Sequence, residues 1–321
     1  MEPDARARVR YQSQASVVAK KKLGLGLLAA VALLAVAAFA MRGALYRALM
    51  RPSGRGGAPK VLASQPVDPL AWPSPEAKLR LPTASFPPGF GKRRIAVDAG
   101  HGAPKNKGNT SCFCVDEQDF TLEAANALAE RLRATGYFEV LLSRQGDAQV
   151  EYKKRAEEAA RWGAEVLVSL HSDVRGKFDQ WAPEPGKSCP MSLAAPGFSV
   201  LWSDEGDPAL TGVRLALARG VARRMAEAGF TPYLGGEYTG LYEADPEQPG
   251  VFVDRHEPGS RIFILRRPSM PSILIETHHA LDPREAARWK EEATFDAFAA
   301  ATIAALADVL GGTAERATKR P

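Results

Sequence analysis

Arg93-Arg94-Ile95-Ala96-Val97-Asp98-Ala99-Gly100-His101-Gly102 is the stretch on which the fold turns. A short apolar run that ends in a glycine-rich loop reads as a buried strand running into a turn. The same alternation continues downstream. Phe120 to Thr135 carries Leu122, Ala125, Leu128 and Leu132 at helical spacing, and Gly136 stands where a glycine just past a helix belongs. Phe138 to Leu142 is the next strand. Val150 to Trp162 is a charged amphipathic helix closed by Gly163, and Val166 to Leu170 is a third strand followed at once by His171. Phe198 to Trp202 reads as a strand. Asp207 caps a helix with Pro208 at its first position, running to about Gly229. Arg261 to Leu265 and Ser272 to Ile275 read as strands, and Asp282-Pro283-Arg284-Glu285 opens a last helix that runs to about Gly311. Strands alternating with helices predict an α/β fold, a three-layer αβα sandwich with a mostly parallel sheet. No internal repeat is visible.

Upstream the chain changes character. Leu23 to Met41 is 19 residues without a charge; at ~1.5 Å per residue such a helix spans ~28 Å, one hydrocarbon core. It lacks the polar stripe of a soluble helix, and Lys20, Lys21 and Lys22 stop it sharply. It reads as a signal-anchor or a cleaved signal peptide. Ala38-Phe39-Ala40 resembles a cleavage site, whereas the 22-residue basic segment before the span favours a retained anchor. No cysteine lies near it, which removes a lipoprotein. Prolines then recur from Pro52 to Pro88, predicting an extended, semi-rigid tether over residues 42–91.

The charge follows this division. The whole chain of 321 residues carries +5, but residues 1–94 hold 16 Lys/Arg against 4 Asp/Glu, and residues 95–321 hold 26 against 33. The basic tail suits a membrane surface. The acidic remainder has no basic stripe with interleaved aromatics, which excludes nucleic acid as a partner of the folded part. Three cysteines in 321 residues exclude a disulfide-framework miniprotein.

In open α/β sheets ligands gather beyond the carboxyl ends of the strands. His101, His171 and Glu276 each stand at or just past the end of a predicted strand. Two imidazoles and a carboxylate make a catalytic zinc set that leaves one position to water, and a separate carboxylate can then move the proton. Taken singly, a histidine after a strand is more often a hydrogen-bonded loop residue, and Glu117 at a helix start more often a dipole partner. Glu276 closes an apolar strand, where a carboxylate must be paired, hydrogen-bonded or liganded. No compact motif such as HExxH joins these residues.

Five motifs in order resemble the zinc-dependent N-acetylmuramoyl-L-alanine amidases of the amidase 3 family. Ile95 to Gly102 resembles the opening strand with the first metal histidine, Glu117-Gln118-Asp119-Phe120 the segment that brings a ligand glutamate, and Val140 to Arg144 the second strand with its trailing arginine. Val168 to Asp173 resembles the strand with the second metal histidine, and Leu265 to Glu276 the strand that delivers the catalytic glutamate. The resemblance covers roughly Arg93 to Leu310. It implies that His101, Glu117 and His171 hold one zinc ion, that Glu276 is general base and then acid, and that the substrate is peptidoglycan, cut between N-acetylmuramic acid and L-alanine of the stem peptide.

A wall hydrolase must lie outside the cytoplasmic membrane. That implies a single-pass protein with its N-terminus inside and its catalytic domain in the periplasm or extracytoplasmic space. The expected order is a basic cytoplasmic tail (1–22), a transmembrane anchor (23–41), a tether (42–91), a zinc amidase domain (92–312) and a flexible tail (313–321). A fully extended tether of ~50 residues reaches ~150 Å at ~3.1 Å per residue. Two alternatives are a non-catalytic wall-binding module of the same fold and a zinc peptidase acting on the stem peptide.

The chain departs from the family pattern after Glu276. Thr277-His278-His279 stand there and read as polar loop residues, the alternatives being orientation of Glu276, substrate binding or a second ion. Some relatives occlude their zinc until an activator protein displaces a segment; here two long connections, Asp173 to Gly197 and Tyr233 to Gly259, read as surface loops shaping the substrate groove, the alternative being that one of them occludes the site in the same way. Cys112 and Cys114 lie in the loop after the first strand and Cys189 in the loop after His171. A disulfide from Cys189 to one of them is expected, with a Cys-x-Cys metal clip as the alternative.

Overall fold

Strand β1 (Arg93–Ala99) is apolar on both sides and buried from Ile95 onward, as a central parallel strand must be. In this computed structural model, whose described residues are 71–318, it lies between β2 (Phe138–Leu142) and β3 (Val166–Asp173), parallel to both. The intervening helices are α1 (Glu117–Ala134) and α2 (Tyr152–Trp162), the latter closed by Gly163 at φ +78° as the sequence predicts. A small hairpin, β4 (Asp179–Trp181) with β5 (Cys189–Met191), follows β3. Then come β6 (Ser199–Trp202), α3 (Pro208–Ala228), β7 (Tyr242–Ala244), β8 (Val251–Asp254), α4 (Phe263–Arg266), β9 (Ser272–His279), α5 (Pro283–Arg288) and α6 (Glu292–Thr318).

The described residues form a seven-stranded sheet in the order β2-β1-β3-β9-β6-β8-β7. β9 runs parallel to β3 and antiparallel to β6; β8 is parallel to β6, and β7 is antiparallel to β8. Helices cover both faces. The larger core lies on one side, where Leu128, Leu132, Leu217, Val221, Phe298 and Leu306 meet Ile95, Val97, Val168, Ile273 and Ile275. On the other, Ala156, Ala159, Ile264 and Leu265 cover Ala96, Leu167 and Leu274. α3 packs on α6 at Gly220, where an added Cβ would lie 3.6 Å from that of Ala305, an ordinary van der Waals contact. Among the described residues α6 holds the one stretch long and apolar enough to cross a membrane, and it is largely buried, a core helix.

Several expectations are corrected. Arg261 to Leu265 is not a strand. Its five apolar-rich residues form a turn and α4, because the backbone N–H of Ile262 is taken by Asp254 Oδ2 at 2.7 Å and the sheet position beside β6 belongs to β8. The connection from Tyr233 to Gly259 contains β7 and β8 rather than loop alone. The last helix is two: Asp282 caps α5 by accepting from Arg284 N at 2.9 Å, and the chain turns again before α6, which continues through Thr318 into the expected tail. β9 runs past Ile275 to His279, so Thr277, His278 and His279 are buried strand residues, not loop.

The end of the expected tether is also reassigned. Residues 71–91 lie against the domain. Trp72 is 5% exposed, its Nε1 donates to Glu285 Oε1 at 2.9 Å, and its ring meets Phe230 at 4.8 Å. Arg288 donates to the carbonyls of Ser74 and Ala77, Arg80 N donates to Ala228 O, and Phe86 stacks on Tyr137 at 4.0 Å. Proline composition foretold an extended backbone but hid the aromatic anchors spaced along it. The predicted transmembrane span and the earlier part of the tether lie outside the described residues.

Candidate metal centre

The parallel β1, β3 and β9 end at one edge of the sheet, and three sequence-predicted residues arrive there together. His101 follows β1 at φ +56°, a left-handed conformation held by its neighbours. Thr121 Oγ1 donates to Gly100 O at 2.6 Å, Arg144 Nε to Ala99 O at 3.0 Å, and Gly102 N to Asn106 O at 2.9 Å. His171 lies in β3. Glu276 lies beside it in β9, their Cα atoms in register.

Glu117 opens α1 and is 4% exposed, between the two imidazoles. Its Oε2 lies 3.0 Å from His101 Nε2 and its Oε1 3.0 Å from His171 Nδ1. Asn109 donates to Oε2 from its backbone N–H at 3.1 Å and from Nδ2 at 2.8 Å, and Ser172 N donates to Oε1 at 3.0 Å. Burial opposes a charge on this carboxylate, but the two histidines outweigh it and hold the pKa well below the ordinary range. Burial likewise opposes a charge on His101, and the Glu117 carboxylate overrides it and raises the imidazole pKa.

These three residues can each offer one ligand atom, all within 4.8 Å of one another. The set suits zinc: two imidazoles and one carboxylate, with room for a further ligand. Two features fit it to an ion. Asn106 Oδ1 lies 2.8 Å from His101 Nδ1, fixing the ring so that Nε2 faces Glu117. Gly108 gives close clearance, because a Cβ there would meet Glu117 Oε2 at 2.5 Å and His101 Cδ2 at 2.7 Å.

Beneath the centre lies a saturated polar network. Asp98, 1% exposed, accepts from Ser143 Oγ and Ser169 Oγ at 2.6 Å each and from Arg155 Nη1 at 3.0 Å. Burial pushes its pKa up, but Arg155 and the two hydroxyls prevail and keep it below the ordinary value. Arg155 also donates to Ala99 O at 2.8 Å, tying α2 to the turn that carries His101.

Above it opens a cavity of about 280 Å³ lined by Asp98, His101, Tyr152, His171 and Glu276, with Ile262–Ile264 and Leu274 as an apolar wall. Glu276 Oε2 is buried there without a hydrogen-bond partner. Burial, and then the nearby Asp173 and Glu117 carboxylates, push its pKa well above the usual carboxylate range.

Residues 95–308 match the family Amidase 3, N-acetylmuramoyl-L-alanine amidase. The chain belongs to that amidase family. A 202-residue stretch is 25% identical to the protein named "Probable N-acetylmuramoyl-L-alanine amidase AmiB" of Haemophilus influenzae, covering 57% of this chain and 44% of the relative. The chain thus spans less than half of that curated relative. The crystal structure of an N-acetylmuramyl-L-alanine amidase from Mycobacterium smegmatis superposes with a TM-score of 0.53 at 23% identity, covering 70% of this chain and 99% of that one. The apo form of a Mycobacterium abscessus amidase gives 0.52 at 19%, covering 68% and 99%. At these identities the likeness is one of fold.

Other sequence candidates in this amidase-family domain have different places. His278 stacks on Trp289 at 5.6 Å and meets Phe120 edge-on at 4.9 Å, and its Nδ1 lies 2.9 Å from Thr277 Oγ1. It is a packed core group. His279 N donates to Glu285 Oε2 at 2.9 Å. Neither histidine joins the metal-holding group found among the described residues. Cys114 and Cys189 form a disulfide, and Cys112 is a buried thiol whose pKa burial pushes up to about 12, so the Cys-x-Cys metal clip falls away. Sequence reasoning missed Asn106, Asn109, Arg155 and Tyr152. None has a diagnostic spacing, and only Tyr152, an aromatic in a charged helix, stands out from its surroundings.

Proposed function

We propose that this chain hydrolyses the amide joining N-acetylmuramic acid to L-alanine of the peptidoglycan stem peptide. One observation carries the reading: His101, Glu117 and His171 converge on a point beside a cavity whose neighbouring strand presents Glu276, a carboxylate outside the ligand set. The family match names the bond.

One zinc ion held by the three residues would supply Lewis acidity toward the scissile carbonyl and the attacking water. Everything else falls to the chain. Glu117 is fixed by Asn109 and Ser172, and His101 by Asn106, so the ligands need little rearrangement. Glu276 takes the proton of the attacking water. The same burial that favours its protonated form lets it hold that proton until the C–N bond breaks, when it passes to the leaving amine of L-alanine. The cavity is open on one side, as a polymer requires.

Leu23–Met41 would anchor the chain in the cytoplasmic membrane, with the domain on the wall side. Neither long connection lines the cavity: Tyr233 to Gly259 builds β7 and β8, and Asp173 to Gly197 builds the β4–β5 hairpin that Cys189 ties to Cys114, so neither is a ready occluding segment for an activator protein to move. The test is release of stem peptides from purified peptidoglycan by the full chain, with zinc and with a chelator, beside Glu276→Gln. Zinc-dependent release of peptides with free L-alanine amino termini and intact glycan, lost in the variant, is the expected result. Cleavage within the stem peptide would establish the peptidase alternative, and binding without cleavage the wall-binding module.

A further inference from the structure

We infer that the Tyr152 hydroxyl is a catalytic hydrogen-bond donor of this site, serving the scissile carbonyl oxygen as negative charge develops on it. The inference rests on the amidase reading above and adds a residue to it.

Tyr152 is the first residue of α2 and lines the cavity with His101, His171 and Glu276. The other polar groups of that wall have employment. Asp98 accepts three hydrogen bonds, His101 and His171 face Glu117, and Glu276 is an acceptor when it acts as base. The Tyr152 hydroxyl makes no hydrogen bond to any described residue. A phenol is a donor at neutral pH, where its ordinary pKa near ~10 keeps it protonated.

Its placement is fixed by the same turn that holds the metal ligands. The guanidinium of Arg155 lies 4.9 Å over the ring, and that guanidinium is locked on Asp98 and Ala99 O. Val150 N donates to Gly102 O at 3.1 Å, and Arg155 Nε to Val150 O at 2.9 Å, so the start of α2 moves with the His101 turn. A preorganised donor facing a partly water-excluded cavity acts on charge that appears only in the transition state. The remaining lining, Ile262–Ile264 and Leu274, is apolar and offers no side-chain donor.

The experiment compares full-chain Tyr152→Phe with the unmodified protein on a soluble muramyl peptide. The expected result is a loss of about 10²-fold in kcat with KM within about twofold. Zinc content and melting temperature should stay unchanged. A non-hydrolysable phosphinate analogue of the amide, measured by calorimetry, should bind the variant weaker by a similar factor. Should the variant fold poorly, 3,5-difluorotyrosine at position 152 keeps the shape and lowers the phenol pKa. It should add a new basic limb to the kcat profile, which a packing role would not. If Tyr152→Phe keeps both kcat and analogue affinity within about twofold while the parent is active, this inference is overturned and the amidase reading stands. If the parent releases no stem peptide, the amidase reading fails and this inference falls with it.

Discussion

Replacing Gly108 by alanine sends one methyl into the candidate metal centre, and the structure allows its effect to be worked out. Two costs add. Gly108 sits at φ +79°, where an L side chain loses ~1–2 kcal/mol. Its new Cβ would then stand 2.5 Å from Glu117 Oε2 and 2.7 Å from both Glu117 Cβ and His101 Cδ2, so two ligands must move, and inserting a methyl into a packed site costs ~1–3 kcal/mol more. Gly136 isolates the first cost: it has φ +76° with nothing within 4 Å of its would-be Cβ. Gly136→Ala should lose ~1–2 kcal/mol of stability and bind zinc unchanged. Gly108→Ala should lose more stability, and a clash of ~1.4–2.8 kcal/mol expressed in the ligand geometry weakens zinc about 10- to 100-fold. Competition with a chromophoric chelator gives the affinities, and melts with and without zinc give the stabilities. Zinc bound by Gly108→Ala within about twofold of the parent would refute the assignment of His101 and Glu117 to one ion.

Three further outcomes are expected. Trp72→Ala should cost ~3–5 kcal/mol in urea unfolding, since it removes a buried indole and leaves Glu285 one donor short; a fragment beginning at residue 92 should be destabilised at least as much. Cys189→Ser opens a disulfide of sequence separation 75, worth up to ~4 kcal/mol of chain entropy, so the variant should melt lower in oxidising buffer and match the parent under reductant. His278 has its pKa lowered to about 3 by burial and then by its neighbours His279 and Arg175, so it is neutral in the fold. Its contribution is complete above the unfolded value of ~6.5 and is lost as pH falls from there toward the folded value, at up to ~1.4 kcal/mol per pH unit. His278→Phe should flatten stability between about pH 6 and pH 4 relative to the parent, and an unaltered acid slope would count against a neutral, stacked His278.

What could be read in the chain follows from how much each residue says about itself. β1, α1, β2, α2 and β3 were legible because apolar runs and helix-closing glycines such as Gly136 and Gly163 punctuate them. β7 and β8 were not: strands of three and four residues are shorter than any period can establish, and Glu243, Asp245 and Glu247 made the region look like loop. Arg261 to Leu265 failed the other way, since five residues fit a strand and a helical turn equally well. His101, His171 and Glu276 announced themselves at strand ends. Glu117 had no such signal, and its place came from resemblance; the structure then brought it between the histidines. Tyr152 and Asn109 matter through what they face across the cavity or the loop, which no one-dimensional spacing encodes.

The segment laid down by Trp72 has a mechanical consequence. Glu285 gathers the Trp72 indole, Gly197 N and His279 N on one carboxylate, and β1 with the His101 turn lies on a different part of the chain. A pull entering at residue 71 is met first by the Trp72 ring, which must leave Phe230 and Glu285 before the load can pass along the backbone. The segment from Trp72 to Phe90 therefore acts as a fuse. A load from the N-terminal side would have to break the aromatic anchor, the Arg80–Ala228 pairing and the Phe86–Tyr137 stack before it reached Arg93 and β1, the strand that leads to His101.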